Sequence, residues 1–280
     1  MQAHTRLAHY SLSVSSSQVL GLANEADLQL ALVLADTADA ISMNRFRAHD
    51  LQTENKIDLT PVTDADRGVE RQLREILEQE RSEDSIIGEE FDQRGSADRT
   101  WIIDPIDGTK NFLRGVPVWA TLIALRDKDG IGLGVVSSPA LNRRWWALRD
   151  HGAWIRESDR EHRLRASAVS ELSQASFSFS DSVGWKQDAL TSLIGATWRH
   201  RAYGDFWSHC LVAEGAVDIA AEPELALYDY AALVPIVEES GGRITDFRGT
   251  PLPVDSFDAH PSVLTTNNFL HQSVTELLNS

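Results

Sequence analysis

Three short segments place carboxylates where chemistry would need them. One is Gly88-Glu89-Glu90, directly after the apolar pair Ile86-Ile87. The second runs Trp101-Ile102-Ile103-Asp104-Pro105-Ile106-Asp107-Gly108-Thr109-Lys110-Asn111-Phe112. The third is Leu227-Tyr228-Asp229-Tyr230-Ala231-Ala232. Asp104 ends an apolar, strand-like run, and Pro105 is expected to stop the ladder and force a turn. Asp107 then returns to the same mouth, with Gly108 allowing tight backbone geometry. Two carboxylates held this close repel each other, so the arrangement makes sense around cations. Oxygen-only ligands select hard ions such as Mg²⁺ or Mn²⁺ over zinc. Gly108 and Thr109 are placed to open a helix, whose first amides suit a phosphate. Each feature alone has a plainer reading: a solvated Glu-Glu pair, a capping Asp229, turn residues at Asp104 and Asp107. Their conjunction in this order favours chemistry.

The elements that must position these acids are partly legible. Leu28, Ala31, Leu32, Ala35 and Ala38 recur at helical spacing and predict a helix over 25–47. Thr63-Asp64-Ala65-Asp66 reads as a capped helix start, followed by the stripe Val69, Leu73, Ile76, Leu77. The middle changes period. Segments 85–87, 101–104, 118–125, 131–137 and 144–148 read as strands, with a hairpin turn at 127–130 and a mostly antiparallel sheet. The last third alternates again. It predicts a helix over 204–214, a strand over 217–220, and a helix over 229–240 that stops at Gly241-Gly242. Strands over 243–247 and 263–266 follow, then a final helix capped by Asn268. Gly130-x-Gly132-x-Gly134 precedes a strand rather than a helix, so it reads as hairpin glycines rather than a nucleotide loop. Trp145 and Trp146 alternate across a strand, which predicts one in the core and one at a surface or interface.

Composition narrows the partners. The 280 residues carry 26 Lys+Arg against 42 Asp+Glu, a net charge of −16. Such a balance argues against a general nucleic-acid binder, which needs a basic face, and against docking on anionic membranes. It still permits an anionic substrate where carboxylates hold divalent cations. The single cysteine, Cys210, excludes an intrachain disulfide framework and reads as a buried helix residue. No apolar run is long enough to span a bilayer, and the expected setting is the cytoplasm. Residues 1–24 read as a poorly ordered extension. Residues 25–160 form an N-terminal α+β metal-binding half, and 161–280 a C-terminal α/β half that completes the site.

Gly-Glu-Glu, then Trp-Ile-Ile-Asp-Pro-Ile-Asp-Gly-Thr-Lys-Asn-Phe, then Asp-x-Ala-Ala leading to Glu-Ser-Gly-Gly together resemble the inositol monophosphatase superfamily over about residues 25–280. The resemblance implies a layered α/β fold, an αβαβα sandwich, and commonly a homodimer. It implies a phosphate monoester hydrolase using two or three Mg²⁺, with Mn²⁺ a possible substitute. It also implies metal ligands at Glu89, Asp104, the Ile106 carbonyl, Asp107 and Asp229. Thr109 and Asp66, with Glu89, would orient and deprotonate the attacking water, and the Gly108 and Thr109 amides would hold the phosphoryl group. Tyr228 departs from the family's usual Trp before the last metal acid, but keeps a large aromatic there.

Substrate choice must come from groups outside the acids. Tyr203-Gly204-Asp205-Phe206-Trp207-Ser208-His209-Cys210 and Glu222-Pro223-Glu224 are the informative stretches. Asp205 and Glu222 would welcome a cationic substrate and repel a bisphosphate, although Asp205 could equally cap a helix. Trp207 and His209 are expected to reshape one side of that pocket. Residues 58–66, Arg114-Gly115-Val116-Pro117-Val118-Trp119-Ala120, Arg143-Arg144-Trp145-Trp146 and residues 213–223 resemble the histidinol-phosphate phosphatase branch, of actinobacterial type, from which His209 departs where a Tyr is expected and Trp207 by its bulk. The resemblance therefore implies hydrolysis of L-histidinol phosphate. Two rivals stand beside it: a phosphatase for inositol, sugar or nucleotide phosphates, and a non-catalytic binding module on the same fold.

Overall fold

A computed structural model describes residues 21–56, 60–256 and 259–280. Most of the expected N-terminal extension therefore lies outside the described residues. Its last four residues do not behave as an extension. The Ala23 amide donates to Asp127 Oδ2 at 2.9 Å, and Asn24 caps the first helix in a reciprocal box with Asp27.

The chain opens with α1 (Glu25–Arg45), the short hairpin β1 (Thr53–Asn55) and β2 (Pro61–Thr63), and α2 (Asp64–Glu80). Then come β3 (Ser85–Gly88), β4 (Thr100–Asp107), α3 (Thr109–Leu113), β5 (Ala120–Asp127), β6 (Gly130–Ser138), β7 (Arg143–Leu148), β8 (Gly152–Glu157) and β9 (Arg160–Arg163). The remainder is β10 (Ser176–Ser178), α4 (Gln187–Ala196), β11 (Arg199–Arg201), α5 (Asp205–Ala213), β12 (Ile219–Glu222), α6 (Leu227–Tyr230), α7 (Leu233–Glu239), β13 (Arg243–Thr245), β14 (Val263–Thr266) and α8 (His271–Leu278).

Seven strands form one sheet in simple chain order, β3 to β9, antiparallel except for the β3–β4 pair. Five strands form a second sheet in the order β11-β10-β12-β14-β13. The apolar stripes of α1 and α2 (Ala31, Leu34, Ala35, Ala38; Val69, Leu73, Leu77) pack on the outer face of the first sheet against Trp101, Ile103, Ile123 and Trp146. α5 and α7 fill the space between the sheets, while α4 and α8 cover the far face of the second. The result is an αβαβα sandwich, as the family resemblance implied. Because the first sheet is covered on both faces, Trp145 and Trp146 are both buried, on opposite sides. One of the two was expected at a surface or interface; neither is exposed.

Several boundaries moved. Pro105 does not end β4. The strand runs through it, and the ladder with β5 skips from Asp104↔Leu122 to Asp107↔Ala120. A bulge absorbs the residue that cannot donate. The helix expected over 229–240 is two short helices, α6 and α7, and Asp229 lies inside the first turn of α6 rather than opening it. Asn268 does not cap α8. It has a left-handed backbone, and Asn267 Oδ1 accepts the Leu270 amide instead. Of the three glycines in 130–134, Gly130 serves the turn, but Gly134 serves packing. A Cβ there would lie 2.1 Å from the Ala232 carbonyl oxygen, at the start of α7.

Candidate active site

Asp66 is fixed by the cap of α2. Thr63 Oγ1 accepts from the Ala65 amide at 3.1 Å, and Asp66 Oδ2 accepts in return from the Thr63 amide at 2.8 Å and from the Thr63 hydroxyl. The other oxygen, Oδ1, lies 3.4 Å from the Thr109 hydroxyl. That hydroxyl also donates to the Ile106 carbonyl at 3.0 Å. Burial, with the charge of Glu89 adding to it, raises the Asp66 carboxyl to about 6 although the Thr63 bonds oppose the rise.

The β4 bulge and α6 bring three further carboxylates together. One oxygen from each of Asp104, Asp107 and Asp229 falls within 4.8 Å of the others. Each side chain is held from behind by a main-chain amide. Ile106 N donates to Asp104 Oδ1 at 2.9 Å, Phe206 N to Asp107 Oδ2 at 2.8 Å, and Ala226 N to Asp229 Oδ2 at 2.7 Å. The dominant influences on all three are burial, other carboxylates and local hydrogen bonds rather than a lysine or arginine. Burial pushes Asp104 and Asp107 well above the usual carboxylate range, helped by the charges of Glu89 and Asp107 at Asp104 and of Asp205 and Asp229 at Asp107, and burial with the Glu89 charge raises Asp229 to about 7. Oriented oxygen donors, Asp104 buried and Asp107 and Asp229 half-buried, fit a hard divalent cation.

Glu89 does not join this triad. Its Oε1 is 2.7 Å from Lys56 Nζ, and the same ammonium lies 2.6 Å from Glu90. Burial works against that ammonium, but the two glutamates outweigh it and raise its pKa. Lys56 was not foreseen, since a lysine in a polar stretch carries no signal. The Ile106 carbonyl, one residue before Asp107 in the chain, has one lone pair taken by Thr109. Gly108 is left-handed at φ 80°, and a Cβ there would meet the Val118 carbonyl at 2.9 Å, so glycine is required. The helix it opens, α3, has only five residues.

The second acid pair adjoins the first cluster. Asp205 does not cap α5. It adopts φ 49°, and its Oδ2 accepts from Asn111 Nδ2 at 2.9 Å. The Asp205 amide donates to Ser180 Oγ at 2.8 Å, and that hydroxyl donates to Glu222 Oε1 at 2.7 Å. The next amide, Phe206 N, is the one that holds Asp107. Burial raises Asp205 to about 6 against the pull of Lys110, and raises Glu222 to about 8 against its Ser180 bonds. Ser180 and Asn111 were missed as positioning groups, because neither belongs to an acid motif. His209 does not line this pocket. It is buried, with Nδ1 2.8 Å from Thr265 Oγ1 on β14. Trp207 packs on Tyr203, ring centroids 5.6 Å apart.

Comparison with known proteins finds relatives over most of the chain. The model of the inositol monophosphatase family matches residues 20–280. A histidinol-phosphatase of Mycobacterium tuberculosis is 52% identical over 260 residues, covering 91% of this chain and 98% of the relative. A histidinol-phosphatase of Streptomyces coelicolor is 50% identical over 262 residues, covering 90% and 97%. The solved structure of an inositol monophosphatase from Zymomonas mobilis superposes with a TM-score of 0.80 at 33% identity, over 91% of this chain and 98% of that one. With a family model matched over residues 20–280, a relative 52% identical over 91% of the chain and the same layers as a solved family structure, the chain belongs to the inositol monophosphatase family.

Proposed function

We propose that the protein is a Mg²⁺-dependent phosphatase that hydrolyses L-histidinol phosphate. The observation that carries this reading is one juxtaposition. The triad of Asp104, Asp107 and Asp229 lies one amide away from the acid pair Asp205 and Glu222. The triad suits the phosphate end of a substrate through a cation. The pair suits an ammonium or an imidazolium. The 50–52% identity to two histidinol-phosphatases supports the same substrate.

A divalent cation held by the triad, with Glu89 and the Ile106 carbonyl, would supply Lewis-acid chemistry: activation of a nucleophilic water and neutralisation of phosphoryl charge. The chain's own groups do the rest. Thr109 orients the water through its hydroxyl, and Asp66, raised to about 6, accepts the proton near neutral pH. The Gly108 and Thr109 amides are assigned the phosphoryl oxygens. Asp205 and Glu222 hold the cationic end of the substrate, kept in register by Ser180. The same reading carries a homodimer working in the cytoplasm. Among the described residues no helix is long and apolar enough to cross a membrane.

The test is phosphate release with Mg²⁺ on histidinol phosphate, inositol 1-phosphate, fructose 1,6-bisphosphate and adenosine 3′,5′-bisphosphate. A preference for histidinol phosphate of about a hundredfold in kcat/KM, about 2.7 kcal/mol in transition-state binding, is the expected result. A flat profile would sink the substrate assignment and leave the phosphatase.

A further inference from the structure

α2 carries three charged residues one turn apart on a single face: Asp66, Glu70 and Arg74. Asp66 belongs to the site already described. Glu70 sits one turn further along and is fully buried. Its Oε2 accepts the Glu90 amide at 2.7 Å, and the Phe91 amide also donates to this carboxylate. Arg74 Nε donates to Glu70 Oε1 at 2.7 Å, while Arg74 Nη2 donates to the Phe91 carbonyl at 2.9 Å. The pair therefore grips the 89–91 turn by its amides and its carbonyl together. Gly88 completes the fit. A Cβ at that position would lie 2.0 Å from Glu70 Oε1, so the glycine of Gly88-Glu89-Glu90 is the space the carboxylate occupies.

A buried carboxylate is a costly way to shape a turn, and apolar packing would hold a loop with less desolvation. What the carboxylate adds is direction. It ties the end of β3 to the same helix that carries Asp66, and Glu89 is the residue between the glycine and the gripped amides.

We infer that Glu70, braced by Arg74, is a positioning residue that aims Glu89 and so sets the protein's affinity for its divalent cation. This rests on the reading of Glu89 as a metal ligand. Groups that support a ligand from behind commonly change metal affinity by about 10–100-fold when removed.

The experiment uses the full chain, stripped of metal with a chelator, and titrates Mn²⁺ by calorimetry, with circular dichroism to confirm folding. E70L should weaken Mn²⁺ binding at least tenfold, and E70Q less, because its carbonyl oxygen can still accept the Glu90 amide. In an E89Q background, E70L should add less than a further twofold, since the ligand it aims is gone. A merely structural Glu70 would lower thermal stability and leave Mn²⁺ affinity within twofold of the unsubstituted protein, which overturns the inference. An equal loss in both backgrounds overturns it as well. Should E70L fail to fold, R74M frees the Phe91 carbonyl from the same turn: a tenfold loss of Mn²⁺ affinity supports the inference and an unchanged affinity overturns it. D104N is the control for the underlying reading. If D104N binds Mn²⁺ as tightly as the unsubstituted protein, the cation site itself is misassigned and the inference falls with it.

Discussion

Asp104 shows what single residues in this site contend with. It is buried, it faces Asp107 and Asp229, and neither the hydrogen bond from Ile106 N nor the one it shares with Asp229 brings a positive charge to it. In the metal-free protein D104N should therefore raise stability at neutral pH, by about 1 kcal/mol, in urea unfolding. Mg²⁺ at about a hundred times its Kd should stabilise the unsubstituted protein by about 2.7 kcal/mol and D104N by nothing measurable. Glu222 makes a second prediction, with a sign. Its carboxyl is raised to about 8, so it is protonated at neutral pH and becomes an anion only as pH rises through that value. A cationic substrate should then bind better with rising pH, its KM falling between about pH 7 and 8, before its own amine deprotonates. E222Q should abolish that slope and leave the KM for inositol 1-phosphate unchanged. At this scale the sequence was legible where a motif concentrates acids. It was silent on Lys56, Ser180 and Asn111, whose roles exist only once distant segments meet.

Helices with caps were the readable elements. Thr63 and Asp66 announce the start of α2, because the reciprocal bonds between them are local. Elements decided by tertiary contact were not readable. β4 continues through Pro105 because β5 supplies partners on either side of a bulge, and no local propensity encodes that. The 229–240 segment breaks into α6 and α7, which places Asp229 against β4 and α7 against β6. Gly134 tests the second of those contacts. G134A puts a methyl group into the Ala232 carbonyl, and the helix must retreat. The expected cost is about 1–3 kcal/mol in urea unfolding. Because Asp229 is three residues before Ala232, the same substitution should weaken Mn²⁺ binding in calorimetry.

Across the whole molecule, the order of layers was implied by resemblance rather than by periodicity, since helical and strand patterns do not say which face covers which. Burial of both faces of the first sheet is the clearest case, and it is why Trp146 is not at a surface. Global stability should also carry the mark of one buried base. His209 is held near 4 by burial alone, against about 6.5 in an unfolded chain. Below about pH 6.5 the unfolded chain takes up a proton that the folded chain refuses, so stability falls as pH drops from about 6.5 to about 4. The loss from this group is about 3 kcal/mol. It should be largely absent in H209Q when the two proteins are unfolded in urea across that range. The triad has a consequence in time as well as in space. Asp66, Asp104 and Asp107 leave the ribosome early, while Asp229 follows far later in the chain. At about 5–20 residues per second, the nascent polypeptide holds an incomplete set of acids for on the order of ten seconds. Assembly of the centre thus reports that synthesis has passed α6, and a fragment that stops short of it carries most of the acids but not the enzyme.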